Sequence, residues 1–180
     1  MMLLKKVIVL LGLLLIIGLP AGYAEAVPRV AVIPFDNQST RNISDSEMNA
    51  ITKYVQTVIV QTRKFDPCTR SPEDIKRAVD EMQMNNTSAF DSSTSSKLGR
   101  LLGVQYLVLG TITDLGVKKN GDFFAELSLR MIEVETARIY LAGMGEGRSK
   151  EDSKDSLKNA SKDALNGEMG MLTMMRNEGK

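Results

Sequence analysis

The stretch Leu98-Gly99-Arg100-Leu101-Leu102-Gly103-Val104-Gln105-Tyr106-Leu107-Val108-Leu109-Gly110-Thr111-Ile112-Thr113 constrains the fold more than any other part of this chain. It reads as the end of a helix, a glycine stop, and a strand with almost no polar residue. A strand that apolar must be covered on both faces, the pattern of an α/β sheet with helices on either side. Val30-Ala31-Val32-Ile33-Pro34-Phe35 is a second run of the same kind, and it opens the folded part of the chain.

The remaining elements are read from periodicity and punctuation. The first strand is expected to end in a polar loop, Asp36 to Asn42. Ser44 and Glu47 make a capping-box pattern. Met48, Ile51, Val55, Val58 and Ile59 follow at helical spacing, predicting a helix to about Arg63. Phe65 to Arg70 is a short extended piece, confined to an edge by Pro67. Ser71-Pro72 starts a second helix with Ile75, Val79 and Met82 on its apolar stripe. Asn85 to Ser96 is a polar linker, and a third helix from about Ser93 stops at Gly103. After the strand Tyr106–Thr113, Asn120-Gly121 marks a hairpin. Phe124–Val134 alternates as a half-exposed strand, and Ile139–Met144 is the last strand. Gly143-Met144-Gly145-Glu146-Gly147 reads as a flexible exit, and a final helix is expected from about Ser149. The fold class is thus α/β: a single three-layer-like domain, with a mixed sheet flanked by helices in the order β-α-β-α-α-β-β-β-α.

The first 26 residues stand apart from this domain. Lys5 and Lys6 precede the apolar run Val7–Leu19, which is short of the ~20 residues a spanning helix needs. Pro20 and small residues follow, so a signal peptide cleaved after Ala24 or Ala26 is expected. The division is then a leader at 1–26, an α/β domain at 27–148, and a C-terminal helix with a Met-rich tail at 149–180. Leu19-Pro20-Ala21-Gly22 looks like the approach to a lipoprotein cleavage site, but Tyr23 stands where cysteine would be acylated. No covalent lipid anchor is expected, and the periplasm is the expected compartment, with outer-membrane association only through a partner.

The pieces Val30–Asn37, Lys64-Phe65-Asp66 with Thr69-Arg70, Lys97–Val104, Tyr106–Thr113 and Leu129–Thr136 together resemble the CsgG-like family. This is the family of the curli assembly and transport component, to which the activator LpoB and the N-terminal domain of TolB are related. The resemblance implies a mixed α/β fold and a periplasmic interaction, assembly or secretion accessory role, with envelope proteins as partners and homo-oligomers as a further prospect. The chain departs from the curli channels in two ways. Tyr23 removes the lipidation site, and the turn Lys118–Asp122 leaves no room for a membrane-spanning hairpin, whose arms need ~9–11 residues each.

Catalytic signals are sparse. With 0 histidines, a nucleophile would need Asp, Glu or Lys as its base. Asp36, Asn37 and Asp114 sit where strands of α/β folds often present ligand sites, which supports an alternative reading as a small-ligand-binding or hydrolytic domain; turning the chain is the simpler role. Gly99 and Gly103 are not a phosphate loop, because they lie in and after a helix rather than before one. No cluster has metal-ligand spacing, and no cofactor is expected. The net charge of +1 gives no reason to expect nucleic acid as a partner. Cys68 is read as a small apolar side chain at a strand end, or else a reactive thiol. The candidate partner contacts are Asp36, Asn37, Met169, Met171, Met174 and Met175, and the protein is expected to be non-catalytic.

Overall fold

The computed structural model describes residues 26–82 and 92–166. Residues 1–25 of the expected leader and the Met-rich segment with Met169, Met171, Met174 and Met175 lie outside the described residues.

Six strands form one mixed sheet: β1 (Arg29–Val32), β2 (Asp36–Asn37), β3 (Asp66–Pro67), β4 (Tyr106–Val117), β5 (Phe123–Glu133) and β6 (Ile139–Ser149). Four helices accompany them: α1 (Asp45–Gln61), α2 (Pro72–Glu81), α3 (Ser92–Leu102) and α4 (Ser153–Asn166). The strand order is β3-β1-β4-β5-β6, with β2 also paired to β4. Strands β1, β2, β3 and β4 run parallel to one another, while β4-β5-β6 is an antiparallel meander. This is the expected α/β architecture.

Connection handedness explains the layers. The chain leaves β1 through α1 for β3 on one side, then returns through α2 and α3 to β4 on the other. Right-handed crossovers in opposite directions must place their helices on opposite faces. Accordingly, α1 and α4 cover one face, where Ile51, Val55, Ile59, Leu157, Ala160, Ala164 and Leu165 pack on Val30, Val32, Val108, Ile112, Leu127 and Leu129. Helices α2 and α3 cover the other, with Ile75, Val79, Leu98 and Leu102 on Ala31, Ile33, Leu107 and Leu109.

Several local signals act as read. Ser44 caps α1 in a full capping box with Glu47, and Ser71 caps α2, accepting from the Asp74 amide. After α3, Gly103 takes φ +69°. Val104 N–H then bonds the Gly99 carbonyl at 2.9 Å and Gly103 N–H that of Arg100 at 3.3 Å, so the helix closes in a Schellman-type cap. In the β4-β5 hairpin only Gly121 has positive φ (+88°), which fits a type I turn followed by a left-handed glycine.

Three expectations are corrected. Asp36-Asn37 is not loop but a strand, in register with Thr111 and Ile112 of β4. It continues the line of β1 along β4 after Ile33-Pro34-Phe35, where the Phe35 ring lies over Gly110, a position at which no Cβ would fit. The Gly143–Gly147 segment is not a flexible exit, because β6 runs through it to Ser149. Finally, α4 begins at Ser153, not near Ser149. Asp152 is its cap, accepting from the Asp155 amide at 2.7 Å, while Ser149 accepts from Glu151 N–H at 3.0 Å in the turn before.

Candidate functional site: a basic groove between two helices

Helices α1 and α4 lie side by side on the sheet, and their outer rims leave a groove of about 310 Å³ lined by Ala50, Ile51, Lys53, Tyr54, Thr57, Lys154 and Lys158. Each residue's place follows from helix periodicity. Ile51 and Val55 point into the core, so Lys53, Tyr54 and Thr57 fall toward the rim. On α4, Leu157 and Ala160 are buried, which turns Lys154 and Lys158, one turn apart, outward and toward α1.

The groove has an apolar floor and a cationic rim. Lys158 Nζ stands 5.8 Å from the centre of the Tyr54 ring, a cation–π distance. No carboxylate lines the groove. The ion pairs Lys76–Asp80 at 2.9 Å and Arg77–Asp74 at 2.6 Å lie on α2. Three ammonium groups thus share one concave surface with no opposing charge in its lining. At its upper end α4 is tied to α1 where Ser153 Oγ donates to Glu47 Oε1 at 2.7 Å. That bond, followed by those from Ser44, holds the Glu47 carboxyl below the usual glutamate range.

The sequence candidates fall elsewhere. The Asn37 side chain is spent on its own loop: Oδ1 accepts from Ser39 N–H at 3.1 Å and from Ser39 Oγ at 2.6 Å, while Nδ2 donates to the Arg41 carbonyl at 2.8 Å. Asp36 Oδ2 accepts from Gln38 Nε2 at 3.3 Å. Asp114 Oδ1 accepts from the Leu115 amide at 2.8 Å. Asn37, in register with Ile112, comes to the same end of β4 as Asp114, and both side chains bond within their own stretches of chain. Asp114 is in register with Glu126, and Glu126 with Glu146, giving a row of three acids across the open sheet face. Among the described residues no group of acids, cysteines or histidines is placed to hold a metal ion. Cys68 is buried, its Sγ 3.7 Å from the Leu102 carbonyl oxygen, as the small-apolar reading expects.

The groove lysines were missed at the sequence level. Lys150 to Asp163 reads as an ordinary solvated face of alternating charge, and nothing local tells that α1 will lie beside it.

Fold and surface together define a small three-layer α/β domain that offers a shallow charged groove rather than a closed cavity. A sequence model of the peptidoglycan-synthase activator LpoB family matches residues 20–146. The chain belongs to that family, one of envelope accessory proteins that act on enzymes. The CsgG-like membership expected from the strand and glycine pieces is corrected by this match, and the curli and secretion readings fall with it. Those pieces are elements of the fold, and a shared fold does not carry a shared function. No curated protein matches the chain in sequence.

Solved structures share the architecture. The lipoprotein GNA1162 from Neisseria meningitidis aligns at 13% identity and a TM-score of 0.52, over 84% of this chain and 96% of that one. A PelC dodecamer from Paraburkholderia phytofirmans aligns at 10% identity and 0.51, over 76% and 84%. The solution structure of Escherichia coli LpoB aligns at 14% and 0.50, over 68% and 57%. At such identities the likeness is one of fold.

Proposed function

We propose that this protein is a non-catalytic periplasmic accessory factor that stimulates a peptidoglycan synthase by docking on it through the α1–α4 groove. The family match supports the activity, and the observation that carries the docking surface is the uncompensated cationic rim of Lys53, Lys154 and Lys158 over Tyr54. Lys154 and Lys158 are like charges at i, i+4, an arrangement that slightly destabilises a helix by itself. A partner segment bearing carboxylates, with an apolar side chain entering toward Ala50 and Tyr54, would relieve that repulsion. Charge complementarity of this kind sets association rate and partner choice.

The domain division belongs to the same proposal. Residues 1–26 direct export and are removed after Ala24 or Ala26, 27–148 form the α/β unit, and 149–180 add α4 and the Met-rich tail. With Tyr23 in place of cysteine, the mature chain is held at the envelope by its partner. Asp36 and Asn37 at the end of β2, and Met169, Met171, Met174 and Met175 beyond α4, complete the proposed contact surface.

The test is glycan-chain synthesis by a purified peptidoglycan synthase of the same organism, with and without the full chain. A faster reaction is expected, together with binding that weakens as salt rises. An unchanged rate at saturating protein overturns the activator reading. Stimulation that survives the double reversal Lys53→Glu with Lys158→Glu instead keeps the activity and overturns the groove.

A further inference from the structure

Strand β1 is where the winding of the sheet reverses. Its own connection leaves over one face through α1, while that of its neighbour β3 leaves over the other through α2. In open α/β sheets, the crevice outside the carboxyl ends of two such strands is where ligands bind. A crevice of about 430 Å³ lies there, in the size range of small-molecule sites. Phe35, which follows β1 and is buried, and Met48 of α1, half-buried, give it an apolar floor. One wall is the first turns of α1, with Asp45 and Asn49, and the other is α2. Glu73, Lys76 and Arg77 are spaced i, i+3 and i+4, so α2 turns one polar face to the crevice while Ile75, Ala78 and Val79 hold its other face on the sheet.

The polar groups of the crevice carry both signs and are loosely held. Asn49 Nδ2 donates to Glu73 Oε1 at 3.3 Å, which joins the two walls. Neither Asp45 nor Glu73 makes an ion pair among the described residues. The cations are paired only along α2, Lys76 with Asp80 and Arg77 through Nη2 with Asp74. Exposed pairs within one helix add little stability, so they give way to a stronger acceptor. Nη2 is the one Arg77 nitrogen that is hydrogen-bonded among the described residues. The rest of the guanidinium fork is open.

We propose that this crevice binds a small zwitterion, a dipeptide with both ends free. Its ammonium is held by Asp45 and Glu73, its carboxylate by Arg77 and Lys76, and its small apolar side chains by Phe35 and Met48. A carboxylate suits the guanidinium fork, which presents parallel donors to its two oxygens. The lining also selects by repulsion. A simple anion meets Asp45 and Glu73, and a simple cation meets Lys76 and Arg77, so an ion of one sign is opposed where a molecule carrying both is matched. The crevice shares no lining residue with the α1–α4 groove, and none of Asp36, Asn37 and Asp114 lines it. Ligand binding here is therefore independent of docking on a synthase, and the two are tested separately.

The experiment is a calorimetric titration of the full chain with alanyl-alanine, with amide chemical shifts followed by NMR alongside. One site is expected, with a Kd of about 1 mM or tighter, and shifts gathered on Met48, Asn49, Lys76 and Arg77. Blocking either end of the probe, as N-acetyl-alanyl-alanine or as alanyl-alaninamide, should weaken binding at least tenfold. Glu73→Gln and Arg77→Gln should each do the same with circular dichroism unchanged, while Lys158→Glu, in the basic groove, should leave binding intact. The proposal is overturned by a chain that gives neither heat nor shifts with the free dipeptide. It is equally overturned by blocked probes that bind as well as the free one, by binding that both α2 variants preserve, or by shifts that gather away from the crevice.

Discussion

At the scale of single residues, Glu47 does two jobs. It closes the α1 capping box with Ser44 and accepts from Ser153 of α4, two elements separated by about a hundred residues of chain. Both sets of bonds favour the ionised carboxylate, so its folded pKa lies below its unfolded value and the stability that ionisation contributes is present above the unfolded value. That contribution is lost as pH falls through the folded pKa. Glu47→Gln should therefore cost about 1 kcal/mol at pH 7, the scale of a lost cap, and almost nothing in acid well below the ordinary glutamate range. Denaturant melts of both proteins at the two pH values check this. A difference that persists undiminished in acid would place the effect in packing instead of charge. Cys68, buried against the Leu102 carbonyl, should resist thiol reagents in the native protein and react fully once unfolded.

At the scale of elements, the pairing of β6 with α4 is decided by side chains that are absent. The ideal Cβ of an alanine at Gly147 would meet the Ser156 carbonyl oxygen and the Ala160 amide nitrogen, and at Gly145 those of Ala160 and Ala164. The obstacles are backbone atoms, which cannot swing aside. Gly147→Ala should destabilise by about 2 kcal/mol or more through overpacking, although alanine is otherwise the better residue in a strand. An unchanged melting temperature would show that α4 can lift off the sheet at little cost. This contact also marks where sequence reading stopped. Helix starts at Ser44 and Ser71 and the stop at Gly103 were legible, because capping is chemistry within five residues of chain. The glycines of β6 read as flexibility because their meaning depends on Ser156, Ala160 and Ala164, small residues four apart in the next element. The paired spacing, glycine at every second residue and small residues at every fourth, was the signal available.

At the scale of the whole molecule, two surfaces remain after the core is satisfied. On the open sheet face Asp114, Glu126 and Glu146 stand in one cross-strand row. Like charges directly opposed weaken a sheet, so Glu126→Thr should stabilise the protein by about 0.5 kcal/mol, measurable as a rise in melting temperature. On the helical face, Lys53→Glu with Lys158→Glu should leave stability nearly unchanged, since both side chains are exposed, while synthase binding weakens at least tenfold and loses its salt dependence. A calorimetric titration against the purified synthase reads both quantities.

The sequence by itself determined the class of fold, the helix boundaries set by caps, and the buried strands at Val30 and Tyr106, because burial on both faces and capping leave their pattern in neighbouring residues. Only the tertiary structure decided that Asp36-Asn37 is a strand, since a two-residue strand exists through its partner on β4. The same holds for the reach of β6 through its glycines and for the groove. Lys53 lies a hundred residues from Lys154 and Lys158, and only the packing of α1 and α4 on one sheet face makes three separate charges a single site.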